Sequence, residues 1–506
     1  MIKAAGRLPA KPVEDFSFKP LFALLDAVEC EGRSLKEAAA DPTNFRKCTP
    51  VHIAWAREAA AVYLAARTAM EARRGAEGAS LRRVIPAWVV VDALEQPDAR
   101  GATQYEQTVW GRQYASEDGA VREIWIPSLG TVNSERPDVE IAAVADVLLN
   151  GVPSRTPFDA PADPLPWPRT RPQRVRIVGV GLLDGTTEVV DWTAEEAGRR
   201  IQEAGLEAAL VAVVEGREAR PGRDCVRCAA LPVCRAVPQA PGLLGVDAAP
   251  RKRRSLSVTD LRVYGECPER YHATRVLKLR DGRAENTAIR RGRAVDAWLN
   301  ARHADPDRIP CRVIELPGGL PGLEDVEQPE ALAMIRRHRA HCPFDGMPDR
   351  EAVEPQRRLV AYDARADVLV VADCDLVYSD RGGVVVRETK TTTGSYIPPG
   401  GLMSRYPQLA LAVLLVHHGV LGGDGCRSRV ELEVLRPDSS RLEELDPHDP
   451  RTVARARAEL QTSIAGWVAD RSYPAQPRPE TGCASCEVHR WCATGRSNGL
   501  HRGDAA

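Results

Sequence analysis

Asp375 and the triplet Glu388-Thr389-Lys390 are the residues of this 506-residue chain whose types and spacing best suit joint chemistry. An apolar, β-branched run at 368–371 leads to Asp375. The stretch Ser379-Asp380-Arg381-Gly382-Gly383 is a turn, because glycine accepts positive φ and aspartate tolerates the left-handed region. Val384-Val385-Val386 then reads as a second strand. Residues two apart on a strand share a face, so Glu388 and Lys390 project together, with Asp375 across the hairpin. Two carboxylates and an ammonium suit a hard divalent cation, Mg²⁺ or Mn²⁺, which polarises a phosphoryl oxygen and acidifies a bound water. An exposed hairpin with an ordinary ion pair fits the same pattern, so the surrounding elements must decide.

Those elements alternate. Residues 51–73, 139–150, 193–204, 287–302, 404–418 and 450–470 have helical periodicity, and 174–183 and 429–435 read as strands. Strand-rich centres flanked by helices predict an α/β architecture. Around the hairpin stand Ser257-Val258-Thr259-Asp260-Leu261, Cys267-Pro268, Gly292-Arg293-Ala294-Val295-Asp296 and Tyr406-Pro407-Gln408-Leu409. With Asp375 and Glu388-Thr389-Lys390, they occur in the order that resembles the RecB-like branch of the PD-(D/E)XK nucleases, over about 255–492. The resemblance implies a central mixed sheet flanked by helices. It makes Asp375 and Glu388 metal ligands, joined by the carbonyl of Thr389, and Lys390 the group that orients water or stabilises charge. Gln408 stands in the family's QxxxY motif, although Ala412 replaces the tyrosine. Asp296 stands where the family places a metal-binding histidine, and aspartate ligates Mg²⁺ or Mn²⁺ at least as naturally. Glu354 is a weaker ligand candidate. His417 and His418, adjacent on a helix, point about 100° apart and read as helix-end residues. Trp467 and Trp491 read as core.

The thirteen cysteines carry a second pattern. Cys225-x2-Cys228-x5-Cys234 repeats the spacing of Cys483-x2-Cys486-x5-Cys492, and each triplet follows one distant cysteine, Cys48 or Cys267. Four thiolates suit Zn²⁺ or an iron–sulfur cluster. The layout is similar to the [4Fe–4S] staple of iron–sulfur RecB-like nucleases, such as CRISPR-associated exonucleases and the AddB subunit. That similarity implies a cluster clamping the ends of each domain, with zinc as the alternative. Cys30, Cys311, Cys342, Cys374 and Cys426 fall outside the pattern and read as small buried hydrophobes. The repeat extends to the hairpin: Val121-Arg122-Glu123-Ile124-Trp125 matches the segment ending in Glu388 and Lys390, with Trp125 in place of the lysine and Tyr114 in place of Asp375. Two tandem domains of this fold are therefore expected, 1–236 and 255–506, joined by a linker at 237–254, with the first unable to hold the ion. The proline-rich 153–172 reads as a loop.

Composition bounds the partners. A net charge of −1 provides no global field toward nucleic acid, so contacts must come from local basic runs such as 251–254 or Arg290, Arg291 and Arg293. No apolar run is membrane-length, no signal-peptide core opens the chain, and a cytoplasmic location is expected. No GxxxxGK[ST] loop is present, so unwinding would need a helicase partner in a repair or defence assembly. The expected activity is Mg²⁺- or Mn²⁺-dependent DNA cleavage, at ends or on single strands. The competing expectation is a non-catalytic DNA-binding or scaffold subunit.

Overall fold

The structure, a computed structural model, describes residues 13–74, 80–94, 103–155, 162–165, 171–216, 218–249, 252–282, 286–347, 351–397, 399–423, 425–476 and 483–500. The chain forms two compact units that interleave along the sequence. One comprises Val13–Glu218, His272–Gly282 and Pro477–Ala506, and the other Met1–Pro12, Ala219–Tyr271 and Arg283–Gln476.

The first unit begins with helices α1 (Lys19–Glu29) and α2 (Pro50–Arg74). Its main sheet runs β1 (Leu81–Val84), β2 (Arg112–Ser116), β3 (Val121–Ser128), β4 (Arg174–Gly181) and β5 (Thr187–Thr193), in that spatial order. All neighbours are antiparallel except β3 and β4. A parallel pair needs a crossover, and α3 (Asp138–Asn150) lies between those two strands in sequence, while α4 (Ala194–Glu203) follows β5. A smaller sheet is built from Thr103–Thr108, Ala87–Leu94 and Val152–Ser154. Most of the proline-rich stretch after it lies outside the described residues.

The second unit repeats this plan. Its elements are β6 (Arg254–Leu256), α5 (Val258–Glu266), α6 (Thr287–His303), α7 (Gln328–His338), β7 (Val353–Asp363), β8 (Val368–Asp380), β9 (Gly383–Thr391), α8 (Pro407–His417), β10 (Arg429–Leu435), β11 (Ser440–Leu445) and α9 (Pro450–Ala469). The spatial order is β7-β8-β9-β10-β11, with β6 added parallel to β8. Along that five-strand path the third and fourth strands are again the parallel pair, and the other neighbours are antiparallel. The helix between them, α8, is buried from Leu409 to Val416, as its apolar circumference requires.

Several expectations are corrected. The helix expected at 404–418 breaks at Tyr406, because Pro407 disfavours helical geometry in the residue before it. The stretch expected as a linker is packed rather than free. Val237, Ala240, Leu243 and Leu244 are buried, and the Asp363 carboxylate accepts from the backbone of Gly242 and Leu244, each at 2.8 Å. Cys30 and Cys426 are exposed, whereas Cys311, Cys342 and Cys374 are buried. Trp467 and Trp491 are core residues. Among the described residues, no helix is long and apolar enough to cross a membrane.

Candidate metal centre

The hairpin forms as its residues require. Arg381 and Gly382 both take positive φ in the turn between β8 and β9. The register Leu376↔Arg387 places Asp375 one rung on, beside Glu388. Alternation along β9 sends Glu388 and Lys390 to one face and Arg387 and Thr389 to the other. The Lys390 ammonium donates to Glu388 Oε1 and lies 3.8 Å from Asp375 Oδ2. The backbone N–H of Thr389 donates to Asp375 Oδ2 at 2.8 Å. From α8, Gln408 Nε2 donates to Glu388 Oε1 at 3.1 Å. Asp375, Glu388, Lys390 and Gln408 thus form one connected group.

Helix α6 brings the third carboxylate. Its glycine, Gly292, sits so close to β9 that a Cβ there would lie 3.1 Å from Thr391 Oγ1, so a residue without a side chain lets helix and strand approach. One turn on, Asp296 accepts from Asn300 Nδ2 at 3.0 Å. Burial, and then the neighbouring Asp375, push its carboxyl up to about 6. Burial and Asp375 also push Glu388 up, to about 7, although Lys390 pulls the other way. Three buried or half-buried carboxylates thus converge around a single ammonium, Lys390. That donor set fits a hard divalent cation.

Sequence reasoning missed Gln356. By register it faces Asp375, between the pairs Pro355↔Leu376 and Arg357↔Cys374, and its φ is +51°. This conformation is uncommon outside glycine and asparagine, and costs of order 1–3 kcal/mol. It aims Nε2 at both Asp296 oxygens, at 3.4 Å each. Nothing in Glu354-Pro355-Gln356 marks it, since the strain arises from tertiary placement. Glu354 instead pairs with Arg357.

The opening motif is also explained. Ser257 accepts from Asp260 N at 3.3 Å while Asp260 accepts from Ser257 N at 2.9 Å, a reciprocal capping box that starts α5. The basic runs are largely engaged: Arg253 pairs with Asp367, Arg290 with Glu327 and Arg291 with Glu330. Arg251 lies outside the described residues. His417 ends α8, its Nδ1 3.1 Å from the Pro447 carbonyl.

In the first unit, the matching rung pairs Tyr114 with Glu123. Trp125 Nε1 donates to Glu123 Oε1 at 2.6 Å, where the second unit has an ammonium. Tyr114 is fully buried, and its hydroxyl lies 2.9 Å from those of Tyr63 and from Glu29 Oε1. Two aromatic side chains thus occupy the positions that correspond to Asp375 and Lys390.

The cysteine triplets are divided between the units. The expected quartets are crossed: Cys225, Cys228 and Cys234 share a unit with Cys267 rather than Cys48, and Cys483, Cys486 and Cys492 share one with Cys48. Cys225 and Cys234 pack against Leu231, Val360 and Leu369, and Cys48, Cys486 and Cys492 pack against the core around Trp55 and Trp491. All eight are free thiols.

Residues 255–493 match the PD-(D/E)XK nuclease superfamily and form a domain of that class. The match begins at the capping box of α5 and includes the whole of the second unit's sheet and the carboxylate group. Among solved structures, the crystal structure of SSO0001 is 15% identical, with a TM-score of 0.26 over 47% of this chain and 86% of that one. No curated protein matches the chain in sequence.

Proposed function

We propose that the chain is a divalent-metal-dependent deoxyribonuclease acting at DNA ends or on single strands, and that its second unit carries the active site. The observation that carries this reading is the group Asp296, Asp375, Glu388, Lys390 and Gln408, gathered in a domain whose superfamily suggests metal-dependent nuclease activity. Asp296, Asp375, Glu388 and the Thr389 carbonyl would hold the cation, which when bound supplies a Lewis acid and an acidified water. Lys390 counters the carboxylates and stays charged, its ammonium held above its ordinary range because Glu388 and Asp375 outweigh the cost of burial. It is therefore ready to offset charge developing on a phosphate. Gln408 fixes the Glu388 oxygen it binds. Incubating labelled single-stranded and duplex DNA with the protein in Mg²⁺ or Mn²⁺ tests the reading. Cleavage that chelation abolishes is expected, and full activity in excess chelator would refute it.

The raised acids set a pH dependence. A cation must displace their protons, so affinity weakens by about tenfold per pH unit for each proton displaced. With Asp296 near 6 and Glu388 near 7, cleavage at fixed Mn²⁺ should fall steeply from pH 7.5 to 5.5, and added Mn²⁺ should restore part of it. A flat profile over that range would contradict these shifts.

The first unit is read as a copy that has lost the ion. Its sheet has the strand order and pairing senses of the second, but Tyr114 and Trp125 fill the place of the site. It would brace the active unit, hold DNA or dock a helicase or other partner. Cys225, Cys228 and Cys234 with Cys267, and Cys483, Cys486 and Cys492 with Cys48, would hold two [4Fe–4S] staples. Zinc is the alternative occupant, since four thiolates also suit a tetrahedral site. Protein purified without oxygen should be brown, with iron and sulfide at about four each per cluster. Colourless, iron-free protein would remove the staples without touching the nuclease reading.

A further inference from the structure

We infer that His303, Cys311, His338 and Cys342 form a closed, structural zinc site in the second unit. All four are buried, and one ligand atom from each lies within 4.8 Å of the others. Two imidazoles and two thiols are a donor set that zinc takes in structural sites, where all four positions come from protein. Tetrahedral bonds of about 2.0–2.3 Å place ligand atoms about 3.3–3.8 Å apart, so a small contraction closes the group. His303 Nε2 already stands 4.0 Å from Cys311 Sγ, and the backbone N–H of Cys311 donates to Cys342 Sγ at 3.4 Å, as thiolate ligands are commonly supported.

His338 gives the second, independent observation. Its Nδ1 lies 2.8 Å and 3.0 Å from the two oxygens of Glu433. A carboxylate only accepts, so Nδ1 donates to Glu433, and Nε2 is the nitrogen that a metal could take in place of a proton. That Nε2 is buried without a hydrogen-bond partner, a costly state that a metal ion relieves. Carboxylate, imidazole and metal in line are the usual outer support of a zinc histidine. The residues come from three places: His303 ends α6, Cys311 follows it, and His338 ends α7 with Cys342 in the turn beyond. The sequence hid them because the spacing His-x7-Cys, then His-x3-Cys after 26 intervening residues, matches no short motif, and single buried cysteines ordinarily pack as small hydrophobes.

The site has a consequence for the carboxylate group. His303 lies seven residues, two turns, beyond Asp296 on α6, and Glu433 also accepts from Thr389 Oγ1 at 3.3 Å, between Glu388 and Lys390 on β9. Zinc here would tie the helix and strand that carry the nuclease carboxylates. This consequence rests on the nuclease reading, whereas zinc content does not.

X-ray absorption at the zinc edge of the full-length, zinc-equilibrated protein should show a shell containing nitrogen as well as sulfur. His338→Gln should lose about one zinc per chain relative to the parent protein. Its thermal midpoint should fall, and Mn²⁺-dependent cleavage should fall with it. Absence of zinc from the parent protein, an all-sulfur shell, undiminished zinc in His338→Gln, or a Cys311–Cys342 disulfide by mass spectrometry would each overturn the site. If His338→Gln is insoluble, the spectrum of the parent protein decides. Zinc present in a protein that cleaves nothing would sink the nuclease reading and leave the site standing.

Discussion

Lys390→Ala lowers DNA cleavage by about 10²–10³-fold and leaves the chain folded. The ammonium bonds Glu388 and lies 3.8 Å from Asp375, so its loss removes the positive charge that the structure places between these two carboxylates. Transition-state charge on phosphate then loses a preorganised partner. The fold survives because the side chain keeps about a third of its surface in solvent and supports no core cluster. Rates in saturating Mn²⁺, with circular dichroism of the same samples, check both halves of the expectation. Undiminished cleavage by Lys390→Ala would overturn the assignment. Asp375→Ala and Glu388→Ala should abolish cleavage, since each removes a proposed metal ligand.

Glu431→Ala destabilises the second unit by about 3–5 kcal/mol, because it strands a buried guanidinium. Arg387 and Glu431 lie on neighbouring parallel strands, β9 and β10, and both side chains are almost wholly out of solvent. Glu431 Oε2 accepts from Arg387 Nε at 2.6 Å and from Tyr378 at 2.8 Å, and Oε1 accepts from Arg429 at 2.7 Å. Removing the carboxylate leaves the charge and hydroxyl that remain without their acceptor. The thermal midpoint should fall on the order of 10 °C. The double change Arg387→Met with Glu431→Leu should recover part of that loss, since the buried guanidinium is gone while the Tyr378 hydroxyl still lacks its acceptor. A single Glu431→Ala variant that melts with the parent protein would show that water, not Glu431, satisfies Arg387.

The hairpin was legible because its turn chemistry and β-branched runs are local. The pairing of Asp375 with Glu388 follows from register once the turn is known. Helices α2, α3, α6 and α9 were legible within a residue or two, because their apolar periodicity agrees with their burial. Strands β5 and β11 were not, being short, polar and on sheet edges, where pairing rather than pattern makes them strands. The packed course of 237–244 was hidden for another reason: its glycines and prolines suggest a connector, but the Asp363 carboxylate binds its backbone from more than a hundred residues away. Gln356 and the His303–Cys342 group were invisible on similar grounds, since distant chain segments bring their partners together.

The repeat has a physical meaning beyond sequence spacing. Both units share a five-strand path in one order, with its third and fourth strands parallel, so both carry the hairpin at the same place. In the first, the rung holds Tyr114 and Glu123, and Trp125 replaces the lysine. An indole hydrogen-bonded to the glutamate provides neither a second carboxylate nor a cation, and aromatic surface supports the core instead. Aromatic side chains at these two positions suit the bracing or docking role proposed for the first unit.

The most direct measurement is Mn²⁺ binding by calorimetry at pH 7.5, comparing the parent protein with Asp375→Asn. The amide keeps the shape of the side chain and removes its charge. A saturable site in the parent protein that disappears in Asp375→Asn, together with cleavage, is the predicted result; identical Mn²⁺ isotherms for the two proteins would contradict an ion held by Asp296, Asp375 and Glu388.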